Sequence, residues 1–350
     1  MPEILLWTAV AFVATAIIWK GSGLLESSSE RLSAYYRLPD IVQGAVVVAI
    51  GSSFPELSTV VISATLHGAF DIGVAAIVGS ALFNILVIPG LAGLVGREQL
   101  STNRDLVYKE SQFYMIAVAV LTLTFSFAVI YYPVDGPPGT IQGEITRSLA
   151  VVPLLLYVLY VFVQYQDTLD HDAEEDLRDI TPLREWGQLG LSLVIIVVGV
   201  EGLVRAAINF GEIFDTPGFL WGITVVAAGT SVPDAFVSVR AAHAGRGVTS
   251  LANVLGSNVF DLLVCIPVGV LLAGASVIDF SVGAPMMGVL TVATIALFLM
   301  MRTKMVLSRI ESIALLGLYL GFVVWISAES FGAIDLVPGL PPAAAGSDSH

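Results

Sequence analysis

Charge is scarce in this chain and lopsided in sign. Only 13% of its 350 residues are charged, and 15 Lys and Arg stand against 29 Asp and Glu, for a net charge of −14. A protein that grips nucleic acid needs a basic face, so nucleic acid is excluded as a partner. Cysteine is nearly absent: Cys265 is alone, inside an apolar run, which rules out a disulfide framework and reads as a small buried hydrophobe. The four histidines form no cluster with it, which argues against zinc or copper. No positive charge precedes the first apolar run; Lys20 follows it, so the N-terminus does not read as a cleavable signal peptide.

What fills the chain instead is apolar: 56% hydrophobic residues and a mean hydropathy of +0.87. A soluble protein of this length needs a far more polar surface, so the expected class is an all-α polytopic membrane protein whose main partner is the lipid bilayer. Ten apolar segments can be read, near 3–25, 40–66, 71–96, 110–131, 147–165, 188–207, 218–243, 248–273, 280–302 and 309–328. Trp7, Trp19, Trp186, Trp221 and Trp325 fall near span ends, as an aromatic belt does. Thirteen of the 15 Lys and Arg lie in or beside odd-numbered connections; only Arg147 and Arg205 fall near even ones. The positive-inside rule then puts odd connections in the cytoplasm and both termini outside, in a multi-pass protein of the plasma membrane.

Two unusual segments recur at a spacing of 178 residues: Ala49-Ile50-Gly51-Ser52-Ser53-Phe54-Pro55-Glu56 and Ala227-Ala228-Gly229-Thr230-Ser231-Val232-Pro233-Asp234. Each is followed by a second matched pair, Gly79-Ser80-Ala81-Leu82-Phe83-Asn84 and Gly256-Ser257-Asn258-Val259-Phe260-Asp261. The chain therefore divides into a first repeat (1–165, spans 1–5), an acidic cytoplasmic linker (166–187), a second repeat (188–328, spans 6–10) and a polar extracellular tail (329–350). Five is odd, so the second repeat enters from the opposite side. The expected fold is ten transmembrane helices as two inverted-topology five-helix repeats, which place a substrate site near the midplane where broken helices meet.

The motifs carry the chemistry of hard cations. A proline inside a helix loosens the carbonyl four residues back, so Pro55 and Pro233 should free the Gly51 and Gly229 carbonyls. Ser52 and Glu56, Thr230 and Asp234, Ser80 and Asn84, and Ser257 and Asp261 are each four apart and share a helix face. Every such group offers oxygen, which suits calcium and sodium. Glu56, Asp234 and Asp261 fall at membrane depth, where each costs about 2.5–3.5 kcal/mol on insertion scales. No Lys or Arg lies inside these four helices, away from their ends, to offset them.

At these residues the chain resembles the calcium/cation antiporter superfamily, the sodium/calcium exchangers, over 40–90 and 218–273. The resemblance implies a carrier rather than an enzyme, with no cofactor, no obligatory protein partner, and Ca2+ and Na+ as transported ions. It implies Glu56 and Asp234 as central calcium carboxylates, hydroxyls from Ser52, Ser53, Ser80, Thr230, Ser231 and Ser257, flanking sites at Asn84 and Asp261, and backbone oxygens of Ala49 and Ala227. The first and sixth spans would slide as a gate across a four-helix core. Asp234 stands where many members have Glu. The Gly-Ser-Asn-Val-Phe-Asp string also resembles the potassium-dependent branch, although Asp261 is permissive there and not diagnostic. Proton coupling is the nearest rival reading; an oxygen-lined channel is a remoter one. Glu201 and Arg205, four apart, read as an intrahelical ion pair, and His67 as a loop or interfacial residue.

Overall fold

A computed structural model of the chain describes residues 1–36, 49–96, 100–167, 181–337 and 340. Its helices are α1 (Pro2–Tyr35), α2 (Ala49–Ser52), α3 (Phe54–Thr65), α4 (Phe70–Val95), α5 (Leu106–Tyr131), α6 (Arg147–Asp167), α7 (Pro182–Phe214), α8 (Gly218–His243), α9 (Gly247–Ala273), α10 (Phe280–Arg302) and α11 (Arg309–Ser330). Among the described residues nine helices are long and apolar enough to cross a membrane, and the broken pair α2–α3 stands where the remaining span was expected. The acidic linker lies mostly outside the described residues, as does the first part of the second span.

Short strands show which connections share a face. Leu100 and Ser101 (β1), in the third connection, pair antiparallel with Leu307 and Val306 (β5), in the ninth. Pro133–Val134 (β2) and Gln142–Ile145 (β3), in the fourth connection, join Ser276–Asp279 (β4), in the eighth. Odd connections meet odd and even meet even, as a ten-span count requires.

Two helices are longer than their hydropathy suggested. The first and sixth spans were read as 3–25 and 188–207; α1 and α7 run to 34 and 33 residues. At 1.5 Å per residue each is about 50 Å long, well beyond a ~30 Å bilayer core. Hydropathy marks only the lipid-facing stretch, while the polar continuation is held by the partner helix. Arg31 reaches the buried Glu185 at 3.2 Å, and Trp186 Nε1 donates to Tyr36 Oη at 3.1 Å.

The crossing of α1 and α7 shows the inverted repeat directly. A Cβ on Gly21 would lie 2.8 Å from Ile196 Cγ1, and one on Gly199 would lie 2.7 Å from Ile18 Cγ1. Ile18 and Gly21 precede Ile196 and Gly199 by the same 178 residues that separate the motifs. Glycine is needed here because a Cβ at either position would run into the facing isoleucine. Leu25 and its mate Leu203 then cover Gly51 and Gly229, the motif glycines.

The core is α4 and α9, with 89% and 78% of their apolar windows buried, against 17% for α1 and α6. Helices α4 and α8 touch backbone to backbone: a Cβ on Gly79 would lie 2.2 Å from the Ile223 carbonyl oxygen, and one on Gly222 would lie 2.7 Å from that of Ile72.

Candidate ion-binding site

The first motif breaks its helix. The chain leaves the α-helix at Ser53, between α2 and α3, with Pro55 in the first turn of α3 where its missing N–H costs nothing. Ser53-Phe54-Pro55-Glu56 has the spacing of a capping box, in which serine and glutamate bond back to the helix terminus. The same spacing at Ser308–Glu311 closes such a box. At Ser53 the side chain makes no capping bond, its Oγ is buried without a partner, and Glu56 Oε2 is also unpartnered. Both oxygens are thus left free to face the protein interior.

The second motif does not break, contrary to the expectation from Pro233. Helix α8 runs on through Pro233, and a π-helical turn lies upstream of it at Gly222–Val226. Wider turns of this kind also occur at Phe83–Val87 and Asp261–Cys265, each ahead of a proline, Pro89 and Pro267. A proline ring displaces the carbonyl four residues earlier, and a π turn accommodates the displacement without ending the helix. Asn84 and Asp261 sit at the start of these two turns.

The four core helices meet around two hydrogen-bonded chains. Ser80 Oγ donates to Glu56 Oε1 at 3.4 Å and lies 2.8 Å from Ser231 Oγ, so one hydroxyl links α3, α4 and α8. Asn84 Nδ2 donates to Asp234 Oδ2 at 3.4 Å and to Asn258 Oδ1 at 3.0 Å. Asn258 Nδ2 donates in turn to the Ala81 carbonyl at 3.1 Å. Glu56, Asn84, Asp234 and Asp261 are all buried. Glu56 is close enough to both Asp234 and Asp261 for like-charge repulsion to act on it. Each 3.4 Å contact is long for a hydrogen bond to a carboxylate, so these oxygens are underfilled.

The hydroxyls divide into two groups. Ser53 faces Asp261 with both Ser53 Oγ and Asp261 Oδ2 unpartnered. Thr230 Oγ1, by contrast, donates to the Ala227 carbonyl at 3.2 Å, so two of the expected ligand oxygens are here bonded to each other. Ser257 donates to the Asn253 carbonyl of its own helix at 2.9 Å while facing Asp234. Ser52 is half-buried on the last turn of α2, and Ala49 opens that helix. Among the described residues no group of three or more His, Cys, Asp or Glu side chains is placed to hold a metal, so any cation here takes hydroxyl, amide and backbone oxygens along with carboxylates.

A family model described as "Sodium/calcium exchanger protein" matches residues 6–166 and 184–328. The chain belongs to this family. Among its relatives are the inner membrane protein YrbG of Escherichia coli, 26% identical with 92% of this chain and 96% of that one covered, and the sodium/calcium exchanger MaX1 of Methanosarcina acetivorans, 26% identical over 90% and 97%. Of solved structures, the sodium-calcium exchanger NCX_Mj superposes with a TM-score of 0.61 at 24% identity, covering 92% of this chain and 98% of that one, and so shares the fold. As a member of the exchanger family the chain is a multi-pass membrane transporter of cations, not an enzyme.

Two residues near this centre, Asn258 and Glu26, escaped the sequence reading. Asn258 stands opposite Ala81 at the repeat spacing of 177, so it has no polar mate to draw attention to it. Cys265 is buried in the core as expected, and its Sγ lies 3.8 Å from Asp261 Oδ1. Glu26 belongs to no motif yet bears on Asp234. At the periphery, Arg205 Nε pairs with Glu201 Oε1 at 2.5 Å as expected, and His67 lies in the loop after α3, as expected, where its Nε2 is 2.9 Å from Glu201 Oε2 and ties that loop to α7.

Proposed function

We propose that the chain is an antiporter that exchanges Na+ for Ca2+ by alternating access, with Ca2+ export as the working direction when Na+ is high outside. Glu56 and Asp234 are the central carboxylates, Asp261 and Asn84 flank them, and Ser52, Ser53, Ser80, Thr230, Ser231, Ser257 and the carbonyls of Ala49 and Ala227 complete the oxygen set. One observation carries the reading: Ser53 Oγ, Glu56 Oε2, Asn84 Oδ1 and Asp261 Oδ2 are all buried without a hydrogen-bond partner among the described residues. Polar oxygens removed from water and left unpaired are costly, and a hard cation is the ligand that satisfies acceptors of this kind together.

Charge then gives exchange. Up to three carboxylates in a dry interior resist closure, and one Ca2+ or several Na+ neutralise them. Ions that share ligands cannot be bound together, so the two cargoes alternate. The repeats (1–165 and 188–328) supply the two halves of the site about the 166–187 linker, with the 329–350 tail and both termini outside a plasma membrane. The name of MaX1 supports sodium as the coupling ion.

Equilibrium binding of Ca2+ to the purified protein, titrated with Na+ and separately with acid, tests this reading. Competitive displacement of Ca2+ by Na+ at fixed pH is expected. Displacement by protons but not by Na+ would move the three carboxylates into proton-carrying roles.

A further inference from the structure

Helix α1 presents one polar face to the core. Thr15, Ser22, Glu26, Ser29 and Ser33 follow one another at intervals of seven, four, three and four residues, which is a single stripe on an α-helix. Contacts place both ends of it: a Cβ on Gly229 would lie 2.8 Å from Thr15 Oγ1, and one on Gly51 would lie 4.0 Å from Ser29 Oγ and from Glu26 Cα. The stripe therefore runs across both cation motifs, and Glu26 is close enough to Asp234 to repel it.

Two of its hydroxyls are out of place as structural residues. Ser22 and Ser33 are 3% and 1% exposed, and neither Oγ has a partner among the described residues. A buried helical serine or threonine ordinarily returns its hydroxyl to a carbonyl of the preceding turn, as Thr59 and Thr122 do. The other gate helix has nothing similar. At the repeat spacing of 178, the mates of the stripe on α7 are Leu193, Val200, Val204, Ala207 and Gly211, all apolar. The polar face is thus a property of one side of an otherwise symmetric pair.

We propose that Glu26, with the hydroxyls of Ser22, Ser29 and Ser33 spaced along the same face, forms a polar path on α1 with one charged stage, along which a hard cation passes between the central site and the membrane face where α1 ends at Tyr35. This rests on the transport reading above. A carboxylate in a low-dielectric cleft raises the local cation concentration and the rate of entry. With apolar mates at these positions, α7 offers no matching stage. Cation entry is therefore unequal from the two faces.

The test is Ca2+ uptake by the full chain in proteoliposomes, with orientation read from labelling of Asp135→Cys and the half-saturating Ca2+ measured from each face. Glu26→Gln should raise that value about tenfold from the Tyr35 face and leave the opposite face unchanged, and Glu26→Asp should restore it. If Glu26→Gln does not insert, Ser22→Ala with Ser33→Ala should shift the same face by about threefold, less than loss of the charge. Normal uptake with no shift, or with equal shifts from both faces, would overturn the path and reduce Glu26 to an electrostatic neighbour of Asp234. Loss of uptake in the unaltered protein would instead sink the transport reading and this path with it.

Discussion

At the scale of the residue, the centre is a set of buried oxygens whose bonds are incomplete. On the proposed ligand set, Glu56→Ala and Asp234→Ala each remove a carboxylate that no neighbouring residue replaces. Breaking one partner from a buried charged assembly costs about 3–5 kcal/mol, so Ca2+ uptake should fall by about a hundredfold or more while membrane insertion is kept. Uptake assays on equal amounts of inserted protein check this. Asn258→Ala should act differently. It strands the Ala81 carbonyl and releases Asn84, at a cost of about 1–3 kcal/mol, visible as a lower midpoint of thermal unfolding in detergent. The duplicated residues were legible in the sequence because carboxylates and hydroxyls four apart, twice over, are costly inside a membrane and stand out from an apolar chain. Asn258 and Glu26 were not legible, because each faces a partner brought near only by folding.

At the scale of the element, the helices are shaped by where backbones touch and where prolines fall. Gly79→Val would put a branched side chain 2.2 Å from the Ile223 carbonyl oxygen at the α4–α8 contact. Overpacking of this kind costs about 1–3 kcal/mol, and it should separate the two helices that carry Ser80 and Ser231. Weaker Ca2+ binding in a less heat-stable protein is the expected result; unchanged binding would show that this contact does not set the site. The segments themselves were readable from hydropathy, and the inverted repeat from counting. Helix lengths and breaks were not. The extensions of α1 and α7 are polar and depend on each other, and no periodicity announces that α8 runs on unbroken through Pro233.

At the scale of the whole molecule, α1 and α7 form one crossed pair lying over the core. Gly21 and Gly199 hold them together at mid-depth, and Arg31 with Glu185 joins them at one end. His67 with Glu201, two residues beyond Gly199, fastens α7 to the core beside the crossing. Under the proposed gating the pair slides as a unit, so forcing its crossing apart should stop transport without emptying the site. Gly199→Leu, which drives a side chain into Ile18, is expected to abolish exchange while Ca2+ binding persists; loss of both together would mean that the crossing supports the site itself. The most direct measurement of the account is radioactive Ca2+ uptake into proteoliposomes loaded with Na+ and diluted into Na+-free buffer, with a pH gradient as the control and K+ present or absent. Uptake driven by the Na+ gradient alone is the predicted result. Uptake driven only by the pH gradient would contradict it.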